Sequence, residues 1–419
     1  MNMNMNSKVY AYKMILLLQN PDRIVDVKSD SIYPVNHSML RVMRSIGRGA
    51  SISEIADRLK ISDKAEQIKV LNKTICMLIE SGILTTHADQ AGGIFIKHPF
   101  STPALEKITM ETTRKCNFRC KHCYNSSDIQ GSELSQKKIE SIIELANRLG
   151  VYRIDLTGGE FFVRSDAFDI LECMKSHGMI VNVFTNGFLL NDDQLNIISE
   201  MEFIRNFYIS LDDNNAEKHD AMRNMQGAFE KTVKTIQELS KMGKRVIVNC
   251  TITNDNINRM KEIYDYFTNE LHVKFRMAPL LNMGRAENMN KIHIEQYIDN
   301  IRSLGLTPEL MDDLFVSPTA DINIPHCGIG SNMIYMMADG TLVPCPLLRD
   351  KEFYLGNILQ NDLKNLWPHH ELLTKIRSSI CNSNCEYLEK CRGGCKSRAY
   401  FRHNRFDAAD PVSCSLFPK

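Results

Sequence analysis

The polarity pattern changes period along the chain, and each period predicts a different element. Apolar positions over 11–18 and 23–27 alternate as short strands around an Asn20-Pro21-Asp22 turn. After Ser38 the spacing becomes helical over 39–46 and is closed by Gly47-Arg48-Gly49. Ser51-Ile52-Ser53-Glu54 opens a second helix through Leu59. A third, over 66–81, carries Val70, Ile75, Leu78 and Ile79 and stops at Gly82. Strands followed by three helices predict a small winged-helix-like α+β domain over 8–90. Residues 1–7 are low in complexity and expected to be disordered. Residues 87–103, with Gly92-Gly93 and Pro99, read as a linker.

From 107 onward strand and helix alternate. Strands are expected at 107–111, 153–156, 180–184, 206–211, 245–251 and 274–277. Helices are expected at 136–149, 166–176, 192–199, 228–242 and 260–271. Six such units over 104–300 predict an α/β fold, a partial (β/α)6 barrel short of the full eight. Ligands in such folds sit at the C-terminal ends of the strands.

A chain of 419 residues is too long for one ordinary core. Its formal net charge of +1 marks neither a nucleic-acid partner nor a membrane surface. No apolar run approaches the roughly 20 residues of a spanning helix. The N-terminus lacks the apolar stretch of a secretory signal. Thirteen cysteines without such a signal therefore read as thiols held for metal in a cytoplasmic, oxygen-poor setting.

Cys116, Cys120 and Cys123 fall within eight residues, with gaps of three and two. Three thiolates cannot complete the four protein ligands of a structural zinc site, but they leave one iron of a four-iron cluster open. This spacing resembles the radical S-adenosylmethionine (SAM) family. The resemblance implies a [4Fe-4S] cluster on those three cysteines, with SAM chelated to the open iron and cleaved by one electron to a 5'-deoxyadenosyl radical. It also implies an electron donor such as flavodoxin or ferredoxin.

The strand ends follow the same family. Thr157-Gly158-Gly159-Glu160 after the second strand resembles the segment that holds the methionine amine; its glycines would let the backbone approach a ligand closely. Thr185-Asn186-Gly187 resembles the next turn. Ser210-Leu211-Asp212 resembles the segment contacting ribose or the methionine end. Arg223, after His219-Asp220, resembles the arginine that pairs with the SAM carboxylate, for which a bidentate fork is suited. Tyr124 is placed to stack near the adenine, and Gly284-Arg285-Ala286 resembles a loop beside it. No catalytic acid or base is expected, because an external radical does not demand one. Cys76, Cys173 and Cys250 read as buried apolar residues.

Seven cysteines fall between 327 and 414. Ala338-Asp339-Gly340-Thr341 predicts a hairpin that leads to Cys345. The run resembles the auxiliary-cluster extension (SPASM) of radical SAM enzymes, here over 320–419. By position it implies one auxiliary [4Fe-4S] cluster on Cys327, Cys345 and Cys395, completed by an open site, His326 or another ligand. A second would sit on Cys381, Cys385, Cys391 and Cys414. Asn382-Ser383-Asn384 makes the first close gap three residues where two is usual.

The N-terminal domain resembles the element that recognises leader sequences in enzymes modifying ribosomally made peptides. Its helix from Ser53 is too weakly basic for a DNA reader. The resemblance implies a precursor peptide as partner and a maturase installing a crosslink, a cysteine thioether in the first instance. The alternatives are a carbon–carbon or carbon–oxygen crosslink, formylglycine-type maturation or, from another class, a metal-sensing winged-helix regulator.

Overall fold

A computed structural model of the chain describes residues 3–12, 14–18, 23–26, 31–305, 328–381, 384–391 and 393–416. The N-terminal region runs β1 (Lys8–Ala11), β2 (Ile15–Leu18), β3 (Arg23–Asp26), β4 (Ser31–Pro34), α1 (His37–Ile46), β5 (Ala50–Ser51), α2 (Ile52–Leu59), α3 (Ala65–Glu80), β6 (Leu84–Thr85) and β7 (Ile94–Lys97). The stretch 11–18 is not one strand. β1 lies in a three-stranded antiparallel sheet of order β5-β1-β6, and β2 in a four-stranded sheet of order β4-β3-β2-β7. The reason is double burial. Ile15 and Leu17 face the N-terminal core, while Leu16 and Leu18 face the main core. A strand buried on both faces reads as a continuous apolar run rather than an alternation.

Two expectations are corrected. Residues 3–7 are ordered: Met3 and Met5 pack on the N-terminal core, and the Met5 carbonyl accepts from Ser53 N at 2.9 Å. The stretch read as a linker contains β7, which pairs in parallel with β2. Lys97 at its end is buried and donates to Asn147 Oδ1 at 2.6 Å and to the His177 carbonyl at 2.7 Å.

The middle region runs β8 (Lys107–Glu111), α4 (Gln136–Arg148), β9 (Arg153–Thr157), α5 (Ala167–Ser176), β10 (Ile180–Thr185), α6 (Asp192–Ser199), β11 (Ile204–Ser210), α7 (Ala216–Arg223), α8 (Ala228–Lys241), β12 (Val246–Ile252), α9 (Met260–Asp265), β13 (Lys274–Pro279) and α10 (Ile294–Ser303). Strands β8 to β13 are parallel and adjacent in chain order, giving the expected partial barrel. The C-terminal region continues with β14 (Met333–Met336), β15 (Thr341–Val343), β16 (Gly356–Asn357), α11 (Leu363–His369), α12 (Glu371–Ser378), α13 (Leu388–Cys391), α14 (Lys396–His403) and α15 (Pro411–Leu416). β14 pairs in parallel with β8, so the C-terminal region extends the barrel sheet. The expected hairpin turn is present, with Gly340 at φ +88° and Asp339 Oδ1 accepting from Thr341 N at 2.9 Å. One apolar core runs from Leu16 and Val25 through Ile154 and Val183 to Trp367 and Val412. Among the described residues no helix is long and apolar enough to cross a membrane.

Candidate active site

The loop from β8 to α4 carries Cys116, Cys120 and Cys123, packed around Phe118 and Ala228. Burial, reinforced by Glu160 and the two neighbouring thiols, pushes Cys116 up to about 12, and burial likewise raises Cys120. Cys116 and Cys120 are thus thiols in electrostatic contact, neutral until a metal displaces their protons.

The turn after β9 is stitched to this loop. Gly159 N donates to the Thr113 carbonyl at 2.7 Å and Glu160 N to the Lys115 carbonyl at 2.9 Å. A Cβ on Gly158 would lie 2.3 Å from the Thr113 oxygen, and one on Gly159 would lie 2.1 Å from the Lys115 oxygen. The close approach those glycines permit is therefore to the cysteine loop itself. Glu160 is buried and collects the turn after β10: Oε1 accepts from Thr185 Oγ1 at 2.8 Å and from Phe162 N at 3.1 Å, while Oε2 accepts from Asn186 N at 2.7 Å. Asn186 Nδ2 in turn donates to Asn117 Oδ1 at 2.8 Å, inside the cysteine loop. Glu160, Thr185 and Asn186 are thus brought together against Cys116.

The strand-four end forms the second wall. Ser210 closes β11, and Asp212 just beyond it is buried beside Arg223 of α7 (2.8 Å) and His122 of the cysteine loop (3.6 Å). Burial opposes ionisation of Asp212, but Arg223 and the two histidines override it and hold the carboxyl at about 2. Burial takes His122 and His219 down to about 4, so both imidazoles are neutral near pH 7. Arg223 also reaches Cys120 Sγ at 3.9 Å, a cation placed against the negative charge that a ligated thiolate brings. Buried His122 Nδ1, His219 Nε2 and Asn117 Nδ2 have no hydrogen-bond partner among the described residues. Three grouped thiols, a cation at one of them and unsatisfied polar atoms around them fit a cluster with a zwitterionic ligand.

Three further residues contribute: Gly284 and Arg285, expected only as part of a loop beside the adenine, and His122, for which the sequence offered no role. Arg285 holds the loop from outside: Nε donates to the Cys120 carbonyl and Nη1 to the Ser127 carbonyl, each at 2.7 Å. Gly284, at φ +57°, lies against the Cys123 and Tyr124 carbonyls. His122 faces Asp212, although nothing in its neighbours signals that. Tyr124 bonds through its hydroxyl to Tyr335, beneath Arg349.

In the C-terminal region, Cys414 is raised first by burial and then by Cys381, with Cys385 adding, and Cys391 by burial and then Cys414. Cys414 therefore lies within electrostatic reach of Cys381, Cys385 and Cys391, the group expected from the sequence. Gly393 and Gly394 have φ +81° and +65°, and a Cβ on Gly393 would meet Cys381 Cβ at 2.9 Å, so this turn packs directly on the group. Cys345 Sγ lies 2.9 Å from Ser397 Oγ, and Cys395 N donates to Asp410 Oδ2 at 3.0 Å. Cys327 and His326 lie outside the described residues. Of the cysteines expected to be apolar filler, Cys250 is buried while Cys76 and Cys173 are half-buried.

The radical SAM superfamily model matches residues 110–267, from within β8 across the cysteine loop, and the SPASM iron-sulfur cluster-binding model matches 327–396. The chain carries a radical SAM domain followed by a SPASM domain. It is an enzyme whose cofactors are SAM and [4Fe-4S] clusters. The radical SAM and SPASM segments extend to curated relatives. The mycofactocin maturase MftC of Mycolicibacterium smegmatis is 28% identical over 321 residues, covering 73% of this chain and 81% of that one. The subtilosin biosynthesis protein AlbA of Bacillus subtilis is 29% identical over 343 residues, covering 75% of each. Streptococcus suis SuiB bound to precursor peptide SuiA has the same fold, with TM-score 0.62 at 15% identity over 99% of this chain and 100% of that one.

Proposed function

We propose that the enzyme is a maturase that installs a crosslink, a cysteine thioether, in a ribosomally synthesised precursor peptide. The observation that carries this reading is the N-terminal sheet. Among the described residues β4 pairs only with β3, leaving one side of it for an added strand, the backbone-driven mode by which a leader segment binds. That sheet is joined to the barrel: Arg23 on β3 donates to Glu106 at 2.8 Å, immediately ahead of β8 and at the strand end opposite the cysteine loop. The mycofactocin maturase MftC, the bacteriocin biosynthesis protein AlbA and SuiB bound to its precursor peptide support the same substrate class.

In this reading Cys116, Cys120 and Cys123 hold the cluster that binds SAM, which supplies a hydrogen-abstracting 5'-deoxyadenosyl radical. Gly158, Gly159, Glu160, Thr185 and Asn186 shape the methionine side. Ser210, Asp212 and Arg223 line the ribose and carboxylate side, and Tyr124 lies toward the adenine. Cys327, Cys345 and Cys395 hold one auxiliary cluster; Cys381, Cys385, Cys391 and Cys414 hold the other. A flavodoxin or ferredoxin delivers the electron.

The test is a cysteine-containing precursor peptide incubated anaerobically with reconstituted enzyme, SAM and dithionite. A thioether is read as loss of two hydrogens per link together with loss of iodoacetamide labelling at the cysteine. Loss of the hydrogens with the thiol still alkylated would replace the thioether by a carbon–carbon or carbon–oxygen link.

A further inference from the structure

Glu111 ends β8 immediately before the cysteine loop, and its side chain is completely buried. Its Oε1 accepts from Asn125 Nδ2 at 2.6 Å; its Oε2 accepts from Tyr335 OH at 3.1 Å and from Arg349 Nη2 at 3.0 Å. The same Nη2 donates to Asn125 Oδ1 at 2.7 Å. The guanidinium lies 5.7 Å from the ring centres of both Tyr124 and Tyr335. Tyr124 and Asn125 directly follow Cys123, the last thiol of the SAM-site loop. Tyr335 and Arg349 belong to the C-terminal region, with Arg349 four residues beyond Cys345. The start and the end of the cysteine loop are bonded directly through Asn125 and Glu111, and Tyr335 and Arg349 of the C-terminal region brace that tie, Arg349 touching both ends at once. A buried carboxylate persists only while it is paired; Arg114 Nε lies 3.9 Å from Glu111 Oε1 and Arg349 makes the shorter cationic contact at 3.0 Å, so the arrangement of Glu111 and the loop end depends chiefly on Arg349.

We propose that Arg349 is a positioning residue, a latch by which the auxiliary domain sets the geometry of the SAM-site loop. Folding of the segment around Cys345 then completes the radical site as well as its own. The latch acts on the loop and is independent of the identity of the substrate.

The test uses the full-length, anaerobically reconstituted protein with Arg349→Lys, which keeps the charge but loses the planar fork. Tyr335→Phe removes a single hydroxyl. The readouts are the SAM dissociation constant and the electron paramagnetic resonance spectrum of the reduced protein before and after SAM is added. Arg349→Lys is expected to weaken SAM binding about tenfold, a size typical of coupling between sites, and to alter the SAM-induced spectral change. Tyr335→Phe should move both readouts in the same direction by less. If both variants melt earlier yet bind SAM with wild-type affinity and an unchanged spectrum, Arg349 contributes only stability and the latch is overturned.

Discussion

Gly159 bears on the cluster through the backbone it touches. Any side chain there must push the Lys115 carbonyl, one residue before Cys116, and a displacement of about 1 Å at a reacting centre costs on the order of 10²-fold in rate. Gly159→Ala is therefore expected to release 5'-deoxyadenosine about a hundredfold more slowly, measured by chromatography. Gly187→Ala, whose new carbon would meet the Ile209 methyl at 3.3 Å and Thr235 at 3.5 Å, carries the strain of φ +75° but presses on no backbone of the cysteine loop and should cost far less in rate. Arg285 works on the same loop from the other side. Arg285→Met removes two charge-assisted bonds to carbonyls and is expected to destabilise the iron-free protein by about 2–4 kcal/mol in urea unfolding. The cysteine spacing and the Gly-Gly-Glu turn were legible in the chain because their chemistry is local. The grip of Arg285 was not, since a side chain bonding carbonyls far away in sequence leaves no periodic trace.

At the scale of elements, periodicity located the six barrel strands and, except for the short α7, the helices between them, because each buries one regular face. It misread 11–18 and 94–97 for a shared reason. β2 is a wall between two cores, and β7 pairs beside it, so neither alternates. β7 also carries Lys97 into a buried site at the ends of α4 and α5, where burial lowers its pKa from 10.5 to about 7. The sign follows from proton counting. Between about 7 and 10.5 the unfolded chain holds a proton at this position that the folded chain has released, so stability from this group rises with pH. Below that window the buried charge is a standing cost. The stability difference between wild type and Lys97→Met should therefore shift in favour of wild type as pH rises from 7 to 10, followed by urea unfolding at each pH. A pH-independent difference would show that Lys97 keeps its proton throughout.

For the molecule as a whole, β14 beside β8 and a core continuous from Val25 to Trp367 make the three regions one packed body. Composition could bound the number of regions but could not show that the sheet crosses into the C-terminal one, because that pairing joins residues more than 220 apart. On the proposed assignment of three clusters with four irons each, anaerobic reconstitution should give about twelve irons per chain. A Cys391→Ala variant should lose only the irons of its own group. The most direct measurement is made on the reduced, reconstituted protein. Adding SAM should change its electron paramagnetic resonance spectrum and release 5'-deoxyadenosine, and Cys116→Ala should abolish both. A spectrum indifferent to SAM, or SAM cleavage that survives in Cys116→Ala, would contradict a three-thiolate cluster with one iron open to SAM.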